Sequence, residues 1–144
     1  MSKLLVALLA VLSVAPCAAR ADVSDRAEAE QIGEAGARLL LIEQIGPEQP
    51  ATVTQTGAGA EALLSQQGYG LKIELSQAAP GAYADIMQNG ASLSASLAQT
   101  GAGAWAKIEQ SGFGHSASVV QAAAGAWAHV VQSGSNNTAV VRQG

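Results

Sequence analysis

The stretch GAWAKIEQSG, residues 103–112, decides how this chain reads. It returns twenty-two residues later as GAWAHVVQSG (125–134) and stands once earlier as GAYADIMQNG (81–90). Working outward from its glutamine, the same residue falls at 44, 55, 66, 77, 88, 99, 110, 121, 132 and 143, always eleven apart. Ten glutamines in unbroken register are an internal repeat, and a repeat is read before anything else.

With each glutamine as offset zero, the other positions become informative. Offset two is glycine in seven of nine units: Gly46, Gly57, Gly68, Gly90, Gly101, Gly112 and Gly134. Offset four is glycine in six: Gly59, Gly70, Gly81, Gly103, Gly114 and Gly125. Offset seven is alanine in eight of nine, with Ile73 the exception, and offset nine is always valine, isoleucine or leucine.

An eleven-residue period also suits a right-handed helical coil. Two facts decide against it. Offsets five, seven, nine and eleven share a face only when the period is two, the period of a strand. Thirteen glycines in the eighteen slots at offsets two and four would each cost a helix interior about 1 kcal/mol relative to alanine. Each unit is therefore expected to be a strand of about seven residues ending at the glutamine, followed by a four-residue turn whose glycines permit positive φ. Pro47 and Pro80 fall at offset three, in turns.

The opening motif doubles the unit. At outward offset six, Tyr83, Trp105 and Trp127 stand in alternate repeats, where the intervening repeats carry Lys72, Ser94, Ser116 and Thr138. Alternation of this kind predicts an all-β solenoid whose rung is strand, turn, strand, turn. Five rungs of about 22 residues are expected, near 38–59, 60–81, 82–103, 104–125 and 126–144. Two parallel sheets then face each other across about 10 Å, with rungs about 4.8 Å apart. Equivalent glutamines lie above one another and can exchange amide hydrogen bonds, and Tyr83, Trp105 and Trp127 form an outward aromatic stripe. No cap is expected after Val140-Val141-Arg142-Gln143-Gly144, which keeps the repeat register.

The first residues read differently. Lys3, the apolar run from Leu4 to Ala15 and the small residues Ala19 and Ala21 have the form of a secretory signal over 1–21, with cleavage before Asp22. Cys17, the single cysteine, would leave with it; a lipoprotein signal at Val14-Ala15-Pro16-Cys17 is the competing reading, made unusual by the proline. Without Lys3 and Arg20, five basic side chains oppose eleven acidic ones, a balance of −6. Asp22, Asp25, Glu28, Glu30, Glu34 and Glu43 lie in the first third of the chain, and residues 22–37 are expected to be a flexible acidic leader. No basic patch points to nucleic acid.

These residues resemble the curlin family, the subunits of extracellular functional-amyloid fibres called curli. The family repeat, A-x-I-x-Q-x-G-x-x-N-x-A-x-x-x-Q, is matched best by Ala106-Lys107-Ile108-Glu109-Gln110-Ser111-Gly112 and by Gln132 to Gln143 with Gly134, Asn137 and Ala139. The resemblance covers residues 38–144 and implies a secreted subunit that passes an outer-membrane pore and polymerises into adhesive biofilm fibres, pilus-like structures at the cell surface. It also implies a second curlin subunit as partner, and the unbroken 22-residue spacing is closer to the minor, nucleating type. The family's asparagine, at offset five here, survives only as Asn137; the other units carry Gln49, Ala60, Leu71, Ala82, Leu93, Ala104, His115 and Ala126.

Nothing in the pattern asks for catalysis or a cofactor. His115 and His129 fall on opposite faces and cannot easily share a metal. Glu61, Glu74, Asp85 and Glu109 are scattered outward, with Glu74 and Glu109 neighbours of Lys72 and Lys107. The G-x-G pairs precede no helix, as a phosphate loop would require. The alternative is a monomeric solenoid that binds carbohydrate or ice, which would need a regular outward Thr or aromatic array; only Thr52, Thr54 and Thr138 are outward threonines. A small-molecule substrate is not expected.

Overall fold

The computed structural model describes residues 17–21, 27–31 and 39–144. Twelve strands make up these residues: β1 (Cys17–Ala21), β2 (Ala27–Gln31), β3 (Leu39–Ile45), β4 (Ala51–Gln55), β5 (Glu61–Tyr69), β6 (Lys72–Gln77), β7 (Tyr83–Ala91), β8 (Ser94–Gln99), β9 (Trp105–Phe113), β10 (Ser116–Gln121), β11 (Trp127–Ser135) and β12 (Thr138–Gln143). Odd strands form one six-stranded sheet and even strands another, each in sequence order. Every pairing is parallel, and from β3 onward every register partner is twenty-two residues away, as in Gln88↔Gln110 and Gln99↔Gln121. The fold is the expected all-β solenoid of five 22-residue rungs.

Strict alternation puts the pattern into the core. β6, KIELSQ, alternates exposed and buried along its whole length. Offsets seven and nine from both sheets meet as one cluster, including Leu40, Ile42, Ala62, Leu64, Ile73, Leu75, Ala84, Ile86, Ala95, Leu97, Ala106, Ile108, Ala117 and Val119. A small alanine beside a branched aliphatic fills the narrow gap between sheets, and each buried aliphatic contributes about 1.5–3 kcal/mol.

The two corners of a rung are unlike. Even strands end at the glutamine, but β5, β7, β9 and β11 run nine residues, three past it. The seven-residue strand expected from the repeat is thus replaced by alternating lengths of six and nine in the regular rungs. Offset five gives the reason. Where odd strands turn into even ones it holds Gln49, Leu71, Leu93, His115 and Asn137; at the other corner it holds Ala60, Ala82, Ala104 and Ala126. A bulky inward side chain needs a wide arch, and alanine allows a tight one.

Turn glycines also divide by corner. At the wide arch, Gly46, Gly68, Gly90, Gly112 and Gly134 have positive φ, and a Cβ on Gly68 would lie 1.8 Å from the Gly90 carbonyl oxygen. Gly57 and Gly101, at the tight corner, are not in that region; there the constraint is approach, with a Cβ on Gly57 1.9 Å from the Ala79 oxygen. Offset four is left-handed throughout: six glycines hold it, and Glu48, Ser92 and Asn136 adopt it at φ 60, 55 and 56.

β1 ends at Ala21, the last residue of the expected export signal, and β2 lies within the expected leader. They add one strand to each sheet beneath β3 and β4. The rest of the signal and leader lies outside the described residues.

Candidate functional site: the amide ladders and the ends of the stack

The ten repeat glutamines are inward, and those from Gln44 to Gln132 are nearly or fully buried. Their amides bond along the stack in one direction. Nε2 donates to the Oε1 of the glutamine twenty-two residues on, in the pairs Gln44–Gln66 and Gln55–Gln77 (2.7 Å each). Gln66–Gln88 follows at 3.0 Å, Gln77–Gln99 at 2.9 Å and Gln88–Gln110 at 2.8 Å. Gln99–Gln121, Gln110–Gln132 and Gln121–Gln143 continue at 2.9, 2.7 and 3.0 Å.

The second amide hydrogen crosses the rung. From Gln77 onward each Nε2 also donates to the carbonyl sixteen residues back, the first residue of the facing strand: Gln88 to Lys72 (3.2 Å), Gln99 to Tyr83 (2.9 Å), Gln121 to Trp105 (3.0 Å). One side chain therefore fixes both the spacing of rungs and the closure of each rung. A buried amide hydrogen left unpaired costs about 1–3 kcal/mol, so register errors are penalised at every strand.

A second column, at the wide arch, was not legible as a ladder in the sequence. Its polar members close their own turns by donating to the carbonyl four residues back: Gln49 to Ile45 (2.8 Å), Asn137 to Ser133 (2.6 Å), and His115 through Nε2 to Ser111 (3.1 Å). His115 Nδ1 accepts the Asn137 backbone N–H at 3.1 Å, which makes Nε2–H the donor tautomer. Gln49 and His115 thus make with other side chains the turn-closing bond that Asn137 makes, and Leu71 and Leu93 fill the column between Gln49 and His115. The signal was the alternation of offset five between bulky residues and alanine.

The stack has two different ends. On the C-terminal side nothing among the described residues pairs with the outer edge of β11 or β12. Gln132 and Gln143 there accept from the rung before at Oε1, but their amides donate only across the rung, to Ser116 and Trp127, so each has an N–H to spare along the stack. At the N-terminal side two buried oxygens, Gln44 Oε1 and Gln49 Oε1, have no hydrogen-bond partner. One end is short of donors and the other has them in excess.

Outward, Tyr83, Trp105 and Trp127 stack face to face, with ring centroids 5.9 and 5.2 Å apart and planes within 6° and 4°. Trp105 has a ring on each of its faces, and Trp127, at the outer end of the column, is 59% exposed. Burial, then the negative charge of Asp85, pushes the Tyr83 phenol above its usual range. Beside the column Lys107 bridges Asp85 at 3.6 Å and Glu109 at 2.7 Å. The Glu109 hydrogen bond raises the Lys107 ammonium, and the same bond lowers the Glu109 carboxyl. Lys72 and Glu74 pair similarly at 2.6 Å. An open groove of ≈ 350 Å³ runs along the stack between the residues before and after the glutamines, with Met87, Glu109 and Val131 on one wall and Asn89, Ser111 and Ser133 on the other. His115 and His129 are not brought together, and no group of metal-ligating side chains forms among the described residues.

The fold and these ladders define the class: a two-sheet parallel β-solenoid with donor and acceptor ends. Comparison of the chain with family models, with curated proteins and with solved structures gave no match to any of them.

Proposed function

We propose that this protein is a secreted structural subunit that assembles by head-to-tail rung stacking into extracellular amyloid fibres of the curli type, serving adhesion and biofilm formation. The observation that carries the reading is the complementarity of the two ends. Gln132 and Asn137 occupy the same offsets as Gln44 and Gln49, so a C-terminal rung set on the N-terminal edge of a second copy brings an amide to each orphaned oxygen. Gln143 stands at the offset of Gln55 and continues the other glutamine ladder.

A heterologous contact that stacks rung on rung along one axis does not close on itself, so it generates a filament. Strand edges add their backbone hydrogen bonds to those of the amides, at about 0.5–1.5 kcal/mol net each. The repeat-by-repeat likeness to curlins supports the same reading and extends it to export through an outer-membrane pore and to a role beside a second curlin subunit, as the minor, nucleating chain. Electron microscopy and fibre diffraction of the chain cleaved before Asp22 test it: unbranched fibres with reflections near 4.8 Å along the axis are expected. A monomer that persists at high concentration, and that seeds do not recruit, would reject it.

A further inference from the structure

We infer that β1 and β2 form a rung in cis that occupies the seat of a second copy's last rung, so that the uncleaved chain is capped against assembly. The inference rests on the head-to-tail reading above. β1 pairs with β3 from Cys17↔Leu40 to Ala21↔Gln44, and β2 with β4 from Ala27↔Ala51 to Gln31↔Gln55. Together they are the outermost strands on the N-terminal side of both sheets, where β11 and β12 of another molecule would otherwise sit.

The cis rung fits its seat only in part. At the register position opposite Gln55 it carries Gln31, but opposite Gln44 it carries Ala21, which has no amide to give. Gln44 Oε1 is left buried without a donor, and Gln49 Oε1 at the neighbouring arch shares that fate. A second copy supplies Gln132, Asn137 and Gln143 at these three positions. It also brings longer strands: β11 and β12 have nine and six residues, against five each in β1 and β2. At the position where β2 has Ala29, opposite Val53, β12 offers Val141. Exchange of the cis rung for the foreign one gains hydrogen bonds, apolar burial and sheet length together, the energetics of strand addition at an open edge.

β1 stops where the expected cleavage falls. Cutting after Ala21 removes all of β1 and strips β2 of its partner within the rung, so processing converts a capped end into an acceptor. A chain that keeps β1 can still offer its own C-terminal rung to a growing fibre, but after it joins, the acceptor end it presents is blocked.

The experiment uses the full chain, before and after cleavage by signal peptidase, added to seeds grown from the cleaved form. Cleaved chain should lengthen the seeds. Uncleaved chain alone should not lengthen them, and at equal amounts should slow elongation by the cleaved form at the acceptor end of the seeds roughly tenfold, corresponding to about 1.4 kcal/mol at that end. Because the apolar run from Leu4 to Ala15 could interfere on its own, an uncleaved chain with both Ala19→Pro and Arg20→Pro is compared. Alternate residues bond in a parallel ladder, so two adjacent prolines delete at least one β1 donor whichever set is used. The double substitution should restore elongation, and Ala21→Gln, which supplies the missing amide, should deepen the block. Equal elongation by cleaved and uncleaved chain, or a block that survives both prolines, overturns the cis rung while leaving head-to-tail growth standing. Failure of the cleaved chain to form fibres at all overturns both.

Discussion

Gln88 Nε2 lies 2.8 Å from Gln110 Oε1 in the rung above and 3.2 Å from the Lys72 carbonyl across its own rung. Its own Oε1 takes the Gln66 amide at 3.0 Å. Substituting Gln88→Ala therefore strips partners from Gln66, Lys72 and Gln110 at once. At about 1–3 kcal/mol for each buried group left unpaired, three such groups should lower the urea-unfolding free energy by about 3 kcal/mol or more. Gln143→Ala, at the open end, should cost an isolated chain less than about 1 kcal/mol yet slow fibre growth, a split that a purely internal role for the glutamines does not produce.

Ser92 holds a left-handed position, φ 55, that six other turns fill with glycine. A non-glycine residue there carries about 1–2 kcal/mol of steric cost. Ser92→Gly should raise stability by about 0.5–1 kcal/mol, since glycine also widens the unfolded ensemble. Gly90→Ala should do the reverse and strongly, because the added Cβ would sit 2.0 Å from the Gly112 oxygen. Thermal melts of the two variants check both signs.

The aromatic column makes a spectroscopic prediction. Tyr83 is held above the ordinary phenol range, chiefly by burial. A raised pKa means that the neutral phenol supports the fold; this contribution is full below the unfolded pKa and is lost as pH climbs through the folded one. In a Tyr69→Phe chain, where Tyr83 is the only tyrosine, tyrosinate absorbance should rise at higher pH in the folded protein than in denaturant. Trp105→Ala, which removes both stacked contacts, should cost about 1–3 kcal/mol at 0.5–1.5 per pair.

Lys107 and Glu109 respond at the acid side. The Glu109 carboxyl is lowered by its bond to Lys107, so its contribution is present above the unfolded pKa and disappears as pH falls through the folded value. Both groups face solvent, so the effect is small and screened. Glu109→Gln should flatten the acid limb of the pH–stability curve slightly at low salt and leave it unchanged at 1 M salt.

The repeat was legible because its period is physical: the interval between glutamines equals the chain needed to traverse one sheet and one corner. Gln44 through Gln143 can be placed inward, in two columns twenty-two residues apart, without coordinates, as can Tyr83, Trp105 and Trp127 outward. The inequality of the corners is hidden in an eleven-residue register, where offset five forms one column of nine rather than two interleaved columns, Gln49–Asn137 and Ala60–Ala126. β1 and β2 escaped for a different reason. Ala21 precedes Gln44 by twenty-three residues and Gln31 precedes Gln55 by twenty-four, so a search for elevens passes over both strands.

Head-to-tail stacking is tested most directly by distance between copies. Spin labels go on outward offset-eight positions of the terminal rungs of cleaved chain, His129 in one preparation and Leu41 in another, and fibres are grown from an equal mixture. Leu41 is 43% exposed and tolerates a label. The account predicts strong dipolar coupling at about one rung spacing, 4.7–4.9 Å between strand backbones, in the mixture, and none of it when either label is used alone. Coupling at that one-rung distance among Leu41 labels alone or among His129 labels alone would mean like ends meet, and its absence in the mixture would mean the ends do not meet at all; either contradicts the account.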